Sequence, residues 1–232
     1  MITTSVRAAF AAAALAVLPF LATAPAAQAQ VSPAAGAPIL RGPLTLVQAI
    51  RQIPVADEQR AGYKRELYKH WNRGLDPADG CDTRREVILS EAVEAPTVAA
   101  GCKLSGGSWS SPYDGITVTD AGGLDVDHMV PLAEVHDSGG YAWTPARREA
   151  YANDQGSTVT LIAVTAKSNR SKADKDPAQW LPPADGYRCQ YAADWTATKL
   201  RWQLTANDAE QTALLGLAGE CPTTTVTYDP AP

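Results

Sequence analysis

Apolar and polar residues recur along this chain with two periods, and the switch between them marks where helix gives way to strand. Helical spacing covers 44–53 and 57–71; in the second, Tyr63, Leu67, Tyr68 and Trp71 recur on one face with charges between them. His70, in the same stretch, reads as a surface or packing histidine. Residues 81–89 run into a short strand or helix, where Arg84 and Arg85 read as solvated charges or as reach toward a phosphate. From Thr97 to Thr119 the pattern is β, punctuated by Gly106-Gly107 and Pro112-Tyr-Asp-Gly115, and it leads through Ala121–Gly123 into a predicted hairpin at Asp125-Val-Asp127. Further elements are a short helix at 132–136, a helix to Tyr151 started by Thr144 and Pro145, a strand over 159–164 and a helix over 166–172. Helices over 194–204 and 208–215 follow, with Trp195 and Trp202 as a packing stripe.

Composition bounds the organisation of the 232 residues. Arg7, the uncharged run Ala8 to Leu21 and the small residues of Ala27-Gln-Ala29 predict an export signal over 1–29, cleaved before Gln30. That apolar run is shorter than the ~20 residues a membrane-spanning helix needs. Residues 30–43, rich in Ala, Pro and Gly, are expected to be disordered, 44–221 to form one domain, and 222–232 to be a mobile tail. A net charge of −5 argues against a broad cationic surface for nucleic acid, though less against an enzyme that needs positive charge in one cleft. The 4 cysteines show no Cys-x-x-Cys spacing, so in an oxidising compartment two disulfides are expected. Three pairings exist; the local one, Cys81–Cys102 with Cys189–Cys221, brackets two coherent segments and adds roughly 3 kcal/mol per bridge. No oligomerisation heptads occur, which leaves a monomer as the default.

Candidate chemistry concentrates in Leu124-Asp-Val-Asp-His-Met-Val-Pro131 and Ser168-Asn-Arg-Ser-Lys-Ala-Asp174. Neighbours on a strand point to opposite faces, so Asp127 and His128 serve one site only where the strand ends. Asn169 adds an oxygen ligand, and Arg170 and Lys172 add positive charge. A hard cation, a neutral imidazole and nearby cations are the parts that hydrolyse a phosphodiester. Asp125 reads as facing solvent, with a supporting place behind a metal ligand as the alternative. Asp174 and Asp176 read as caps or partners of Lys172 and Lys175, and His136 as no part of a site.

"VDHMVP" followed by "SNRSKAD" resembles the HNH endonuclease family. The stretch from Cys81 to Tyr191, with "GCDTR", "GGSWSSPYDG", "DHMVPLAE", "NRSKADKDPAQWLPP" and the cysteine placement, is similar to small secreted bacterial HNH proteins related to the C-terminal domain of GmrSD-type restriction enzymes. The resemblance implies an α+β fold, a ββα-metal (HNH) finger embedded in a helix-rich single domain with two disulfides. It further implies Asp127 and Asn169 as ligands of one Mg²⁺ or Mn²⁺, His128 as general base, and Lys172 and Arg170 as neutralising charges on the phosphate. The substrate would be nucleic acid, DNA or also RNA, with 5′-phosphate products, and the enzyme would be secreted and not membrane-bound. This chain departs from the family at Thr160, which stands where a middle Asn fixes the loop that orients the histidine; Asn153 lies nearby in sequence. Two rivals come from other classes. A calcium-stabilised secreted binding protein would use Asp125 and Asp127, but an Asp-x-Asp-x-Asp-Gly loop is missing. A cell-wall hydrolase would use Glu134 and Asp137, but one short helix cannot straddle a glycosidic bond.

Overall fold

Local signals start most of the helices. The computed structural model describes Met1 and residues 43–232; the expected export signal and the 30–43 segment otherwise lie outside the described residues. Strand β1 (Leu44–Thr45) leads directly into α1 (Leu46–Ile50), where Thr45 and Gln48 form a reciprocal capping box. Asp82 caps α2 (Thr83–Ser90) by accepting from the Arg85 amide. Two small antiparallel sheets follow, β2 (Thr97–Ala99) with β3 (Lys103–Ser105) and β4 (Trp109–Ser110) with β5 (Thr117–Val118). Next come β6 (Leu124–His128), α3 (Leu132–Asp137) and α4 (Pro145–Ala152), the last capped by Thr144 with Pro145 at its start. Strand β7 (Leu161–Thr165) continues without a loop into α5 (Ala166–Lys172), because Thr165 is both the last strand residue and the helix cap. The chain finishes with α6 (Arg188–Trp202), α7 (Asp208–Glu220) and β8 (Thr225–Val226). The architecture is α+β, helices with small antiparallel sheets, and the disulfides are Cys81–Cys102 and Cys189–Cys221.

Three expectations change. Residues 57–71 are not an α-helix but irregular backbone with one 3₁₀ turn, Arg65–Leu67. Gly62 and Trp71 have φ of 82° and 61°, outside the right-handed region, and the rings separate instead of forming one stripe. Tyr63 and Tyr68 pack on His136, whereas Trp71 stacks on His128. Strand β6 does not pair with the β strands before it; its partner is β7, with Asp127 opposite Ile162 and His128 opposite Leu161. The last residues, expected to be a mobile tail, return to the body: β8 pairs with β1, and the Ala231 amide donates to the Arg201 carbonyl.

The β6–β7 hairpin separates two apolar clusters. Leu124, Val126, Leu161 and Ala163 on one face pack against Val87 and Ile88 of α2 and against Trp109. Ile162 and Val164 on the other face join the main core, built around Tyr191, Trp195 and Trp202 of α6. Burying both faces fixes the register, since a slip of one residue would turn Asp125 and Asp127 onto the wrong side. Helix α5 folds back over the same face as these two acids, and that places the candidate residues together.

Candidate active site at the end of the β6–β7 hairpin

Asp127, His128, Asn169 and Arg170 line one cavity of ≈ 170 Å³ together with Arg65 and Asp174. The strand ends at His128, so the alternation that separates neighbours is relaxed there, and acid and imidazole open onto the same space.

Each side chain is held by a bond that leaves one polar atom unused. His128 is 5% exposed, its ring stacked between Trp71 and Tyr151 at centroid distances of 5.4 and 5.9 Å. Its Nε2 lies 3.0 Å from the Ala152 carbonyl. A carbonyl only accepts, so Nε2 carries the proton and the lone pair belongs to Nδ1. Burial pushes the imidazole down to about 3 against the opposing pull of that carbonyl, which keeps it neutral at physiological pH. Asp127 Oδ2 accepts from Tyr113 Oη and Lys172 Nζ, both at 2.6 Å. Burial raises the Asp127 carboxyl, while the Lys172 charge draws it back toward ionisation. Asn169 Nδ2 donates to Asp125 Oδ2 at 3.1 Å, which turns its carbonyl oxygen away from that acid. Among the described residues, Nδ1 of His128 and Oδ1 of Asp127 and of Asn169 take no hydrogen bond. None of the three is among the sealed polar atoms that lack a partner, which among the described residues are Arg148 Nε, Tyr191 Oη and Thr196 Oγ1. A base lone pair and two hard oxygen donors thus keep solvent access in residues lining one cavity.

Residues 66–217 match the family model described as GmrSD restriction endonucleases, C-terminal domain. The chain belongs to this family. A curated relative from Arthroderma benhamiae, named "Uncharacterized secreted protein", is 38% identical over 160 residues, 69% of this chain and 76% of that protein. No solved structure matches the chain. Membership of a restriction-endonuclease domain family suggests a nuclease-type function. No helix among the described residues is long and apolar enough to cross a membrane.

Within this family member the remaining candidates occupy unlike positions. Lys172 is completely buried, its ammonium shared among Asp127 and the carbonyls of His128 and Met129 at 3.0 Å each, so it does not reach a phosphate in the cavity. Arg170 is exposed, with its Nε 3.7 Å from Asp125. Thr160 is buried behind the site: its hydroxyl donates to Asp154 Oδ2 at 2.8 Å, and its carbonyl accepts from the Met129 amide. Asp154 is further held by Arg201 and by Trp202 Nε1, which pins the turn after Ala152. Asn153 bonds Asn72 and Lys69 instead, on another side of that turn.

Asp125 does not face solvent alone; it is the acceptor that orients Asn169. Asp176 caps the amides of Ala178 and Gln179, while Asp174 lines the cavity, and neither forms an ion pair with a lysine among the described residues. Glu134 is paired with Lys199 and Asp137 is clamped by Arg60, so neither is an available acid or base. Sequence reasoning missed Trp71, Tyr113 and Tyr151. The "SPYDG" turn that holds Tyr113 signals a turn in the sequence and carries no sign of the bond to Asp127, 14 residues away.

Proposed function

We propose that this chain is a secreted endonuclease of HNH type that hydrolyses phosphodiester bonds of DNA, and of RNA as a second substrate, with one divalent cation. The single observation that carries the reading is the common cavity of Asp127, His128 and Asn169, each with an unbonded polar atom. Family membership and the secreted relative support it.

The hairpin β6–β7 with α5 corresponds to the ββα-metal finger. Carboxylate and amide oxygens suit Mg²⁺ or Mn²⁺, so Asp127 and Asn169 would hold the ion. When bound, the cation supplies Lewis-acid stabilisation of charge on phosphoryl and leaving oxygens. His128 accepts the proton of the attacking water at Nδ1, while the Ala152 carbonyl keeps Nε2–H in place and favours the imidazolium as it forms. Cleavage of the bond to the 3′ oxygen leaves 5′ phosphates. Arg170, on the wall of the cavity, would neutralise the phosphate. Lys172 acts through Asp127 as a positioning residue, and Thr160 acts through Asp154 on the turn that presents the Ala152 carbonyl.

Plasmid nicking with Mg²⁺, with and without EDTA, tests the proposal. The expected outcome is cleavage that EDTA abolishes and that falls about 10²–10⁴-fold per folded molecule in His128→Ala, whose melting is lowered by the cavity left between Trp71 and Tyr151. Absence of cleavage with any divalent metal sinks the enzyme reading. Unaltered metal affinity in Asn169→Ala removes the ligand assignment alone.

A further inference from the structure

We infer that Arg65 is a phosphate-binding residue of this cavity, taking a backbone phosphate of the nucleic-acid strand beside the scissile one. The inference rests on the nuclease reading and names a residue that nothing in the motifs assigns. Arg65 opens the 3₁₀ turn Arg65–Leu67, far in sequence from β6 and α5, and immediately precedes the family match. The fold nevertheless brings it to the wall of the cavity lined by Asp127, His128 and Asn169.

What distinguishes Arg65 from the other arginines without a carboxylate partner, such as Arg51 and Arg73, is its place on the wall of this cavity. It forms no ion pair among the described residues, whereas Arg60, Arg85, Arg188 and Arg201 each have a carboxylate partner. Among the described residues the one polar contact of its side chain is with His70 Nε2, at 3.5 Å. His70 Nδ1 lies 2.7 Å from the Tyr68 carbonyl, so the proton sits on Nδ1 and Nε2 offers a lone pair to the guanidinium. The His70 ring is in turn wedged edge-on against Trp71 and His128, at 5.2 and 6.1 Å. A guanidinium steadied by a neutral acceptor keeps its whole positive charge and most of its donor fork, which suits a phosphate. Arg170 is partly committed to Asp125, so the two arginines of the cavity are not equivalent.

The test uses the full chain with Mg²⁺ and a short DNA duplex. Arg65→Ala is expected to raise KM about tenfold to a hundredfold while kcat stays within a few-fold, as loss of one charged hydrogen-bonded contact requires. In a His128→Ala background, duplex affinity by fluorescence anisotropy falls similarly, and the slope of log affinity against log salt drops by about one counterion. Arg65→Lys recovers part of both losses, and neither Arg65 substitution changes the melting temperature. Wild-type KM and salt slope in Arg65→Ala overturn the assignment while leaving the nuclease intact. A KM rise accompanied by lower melting and no recovery in Arg65→Lys overturns it in favour of a structural role. A wild-type chain that neither binds nor cleaves nucleic acid overturns this inference and the nuclease reading together.

Discussion

Lys172 and Lys199 are both fully buried, and both hold a carboxylate within hydrogen-bonding distance, yet only the carboxylate held by Lys172, Asp127, lines the hairpin cavity. Lys199 is saturated from all sides: Glu134 Oε1 at 2.8 Å, Glu210 Oε2 at 2.7 Å and the Thr205 carbonyl at 2.7 Å. Trp195 Nε1 occupies the other oxygen of Glu210. Burial disfavours this ammonium, but two carboxylates outweigh it and its pKa is raised. Burial also disfavours Lys172, where a single carboxylate does not compensate, and its pKa is lowered. The difference separates a strut from a site. Glu134 and Glu210, tied together by Lys199, are not among the residues lining the hairpin cavity, whereas Asp127 lines it and keeps one oxygen without a protein partner.

Replacing each lysine by methionine breaks the comparison most severely. Lys199→Met strands Glu134 and Glu210 in the interior and is expected to cost about 3–5 kcal/mol in urea unfolding, with activity per folded molecule preserved. Lys172→Met is expected to cost a similar amount and to remove nicking activity as well, because Asp127 loses the cation that fixes it. Full activity in the folded fraction of Lys172→Met would falsify the distinction.

A smaller effect comes from Glu91, a partly buried carboxylate whose one hydrogen bond among the described residues is from the Ala163 amide, with no cation beside it. Burial raises it to about 7, the Ala163 bond opposing. The unfolded chain therefore ionises first. Stability from this group is full below pH ~4.5 and is lost as pH rises to about 7. Glu91→Gln, which retains an acceptor for Ala163, should melt like the wild type at pH 4 and be more stable by about 2 kcal/mol at pH 8. Parallel melting curves at the two pH values would show that burial of an unpaired carboxylate carries no penalty here.

The smallest expected effect lies at the end of α5, the helix that carries Lys172. Ala173 has φ 51° and lines the cavity, a conformation that glycine adopts without strain. Ala173→Gly is expected to raise stability by up to about 1 kcal/mol, read as a rise of a few degrees in melting temperature. A fall would mean that the methyl group contributes packing worth more than the strain.

Much of the site was legible because its determinants are close in sequence. Thr144 and Thr165 cap their helices with their own side chains, and spacing of three put Asn169 and Lys172 on one face of α5. The same wheel says nothing of depth, so Lys172 read as a charge for the phosphate although its ammonium is enclosed. Aromatic spacing over 63–71 imitated a helix because it records burial, and these rings are buried in different places. The strand alone leaves Asp125 open between facing solvent and supporting a ligand, because its partner Asn169 lies 44 residues away.

The sequence by itself determined the candidate residues for the chemistry and the start of the key helices, and favoured the local disulfide pairing, since caps, strand ends and cysteine spacing act over a few residues or by covalent bond. Only the tertiary structure decided which polar atoms are consumed and which stay open. Tyr113, Ala152, Asp154 and Arg65 meet the hairpin and its flanking turns through contacts between segments far apart in the chain. Whether a buried charge is sealed or half-open depends on how those segments pack.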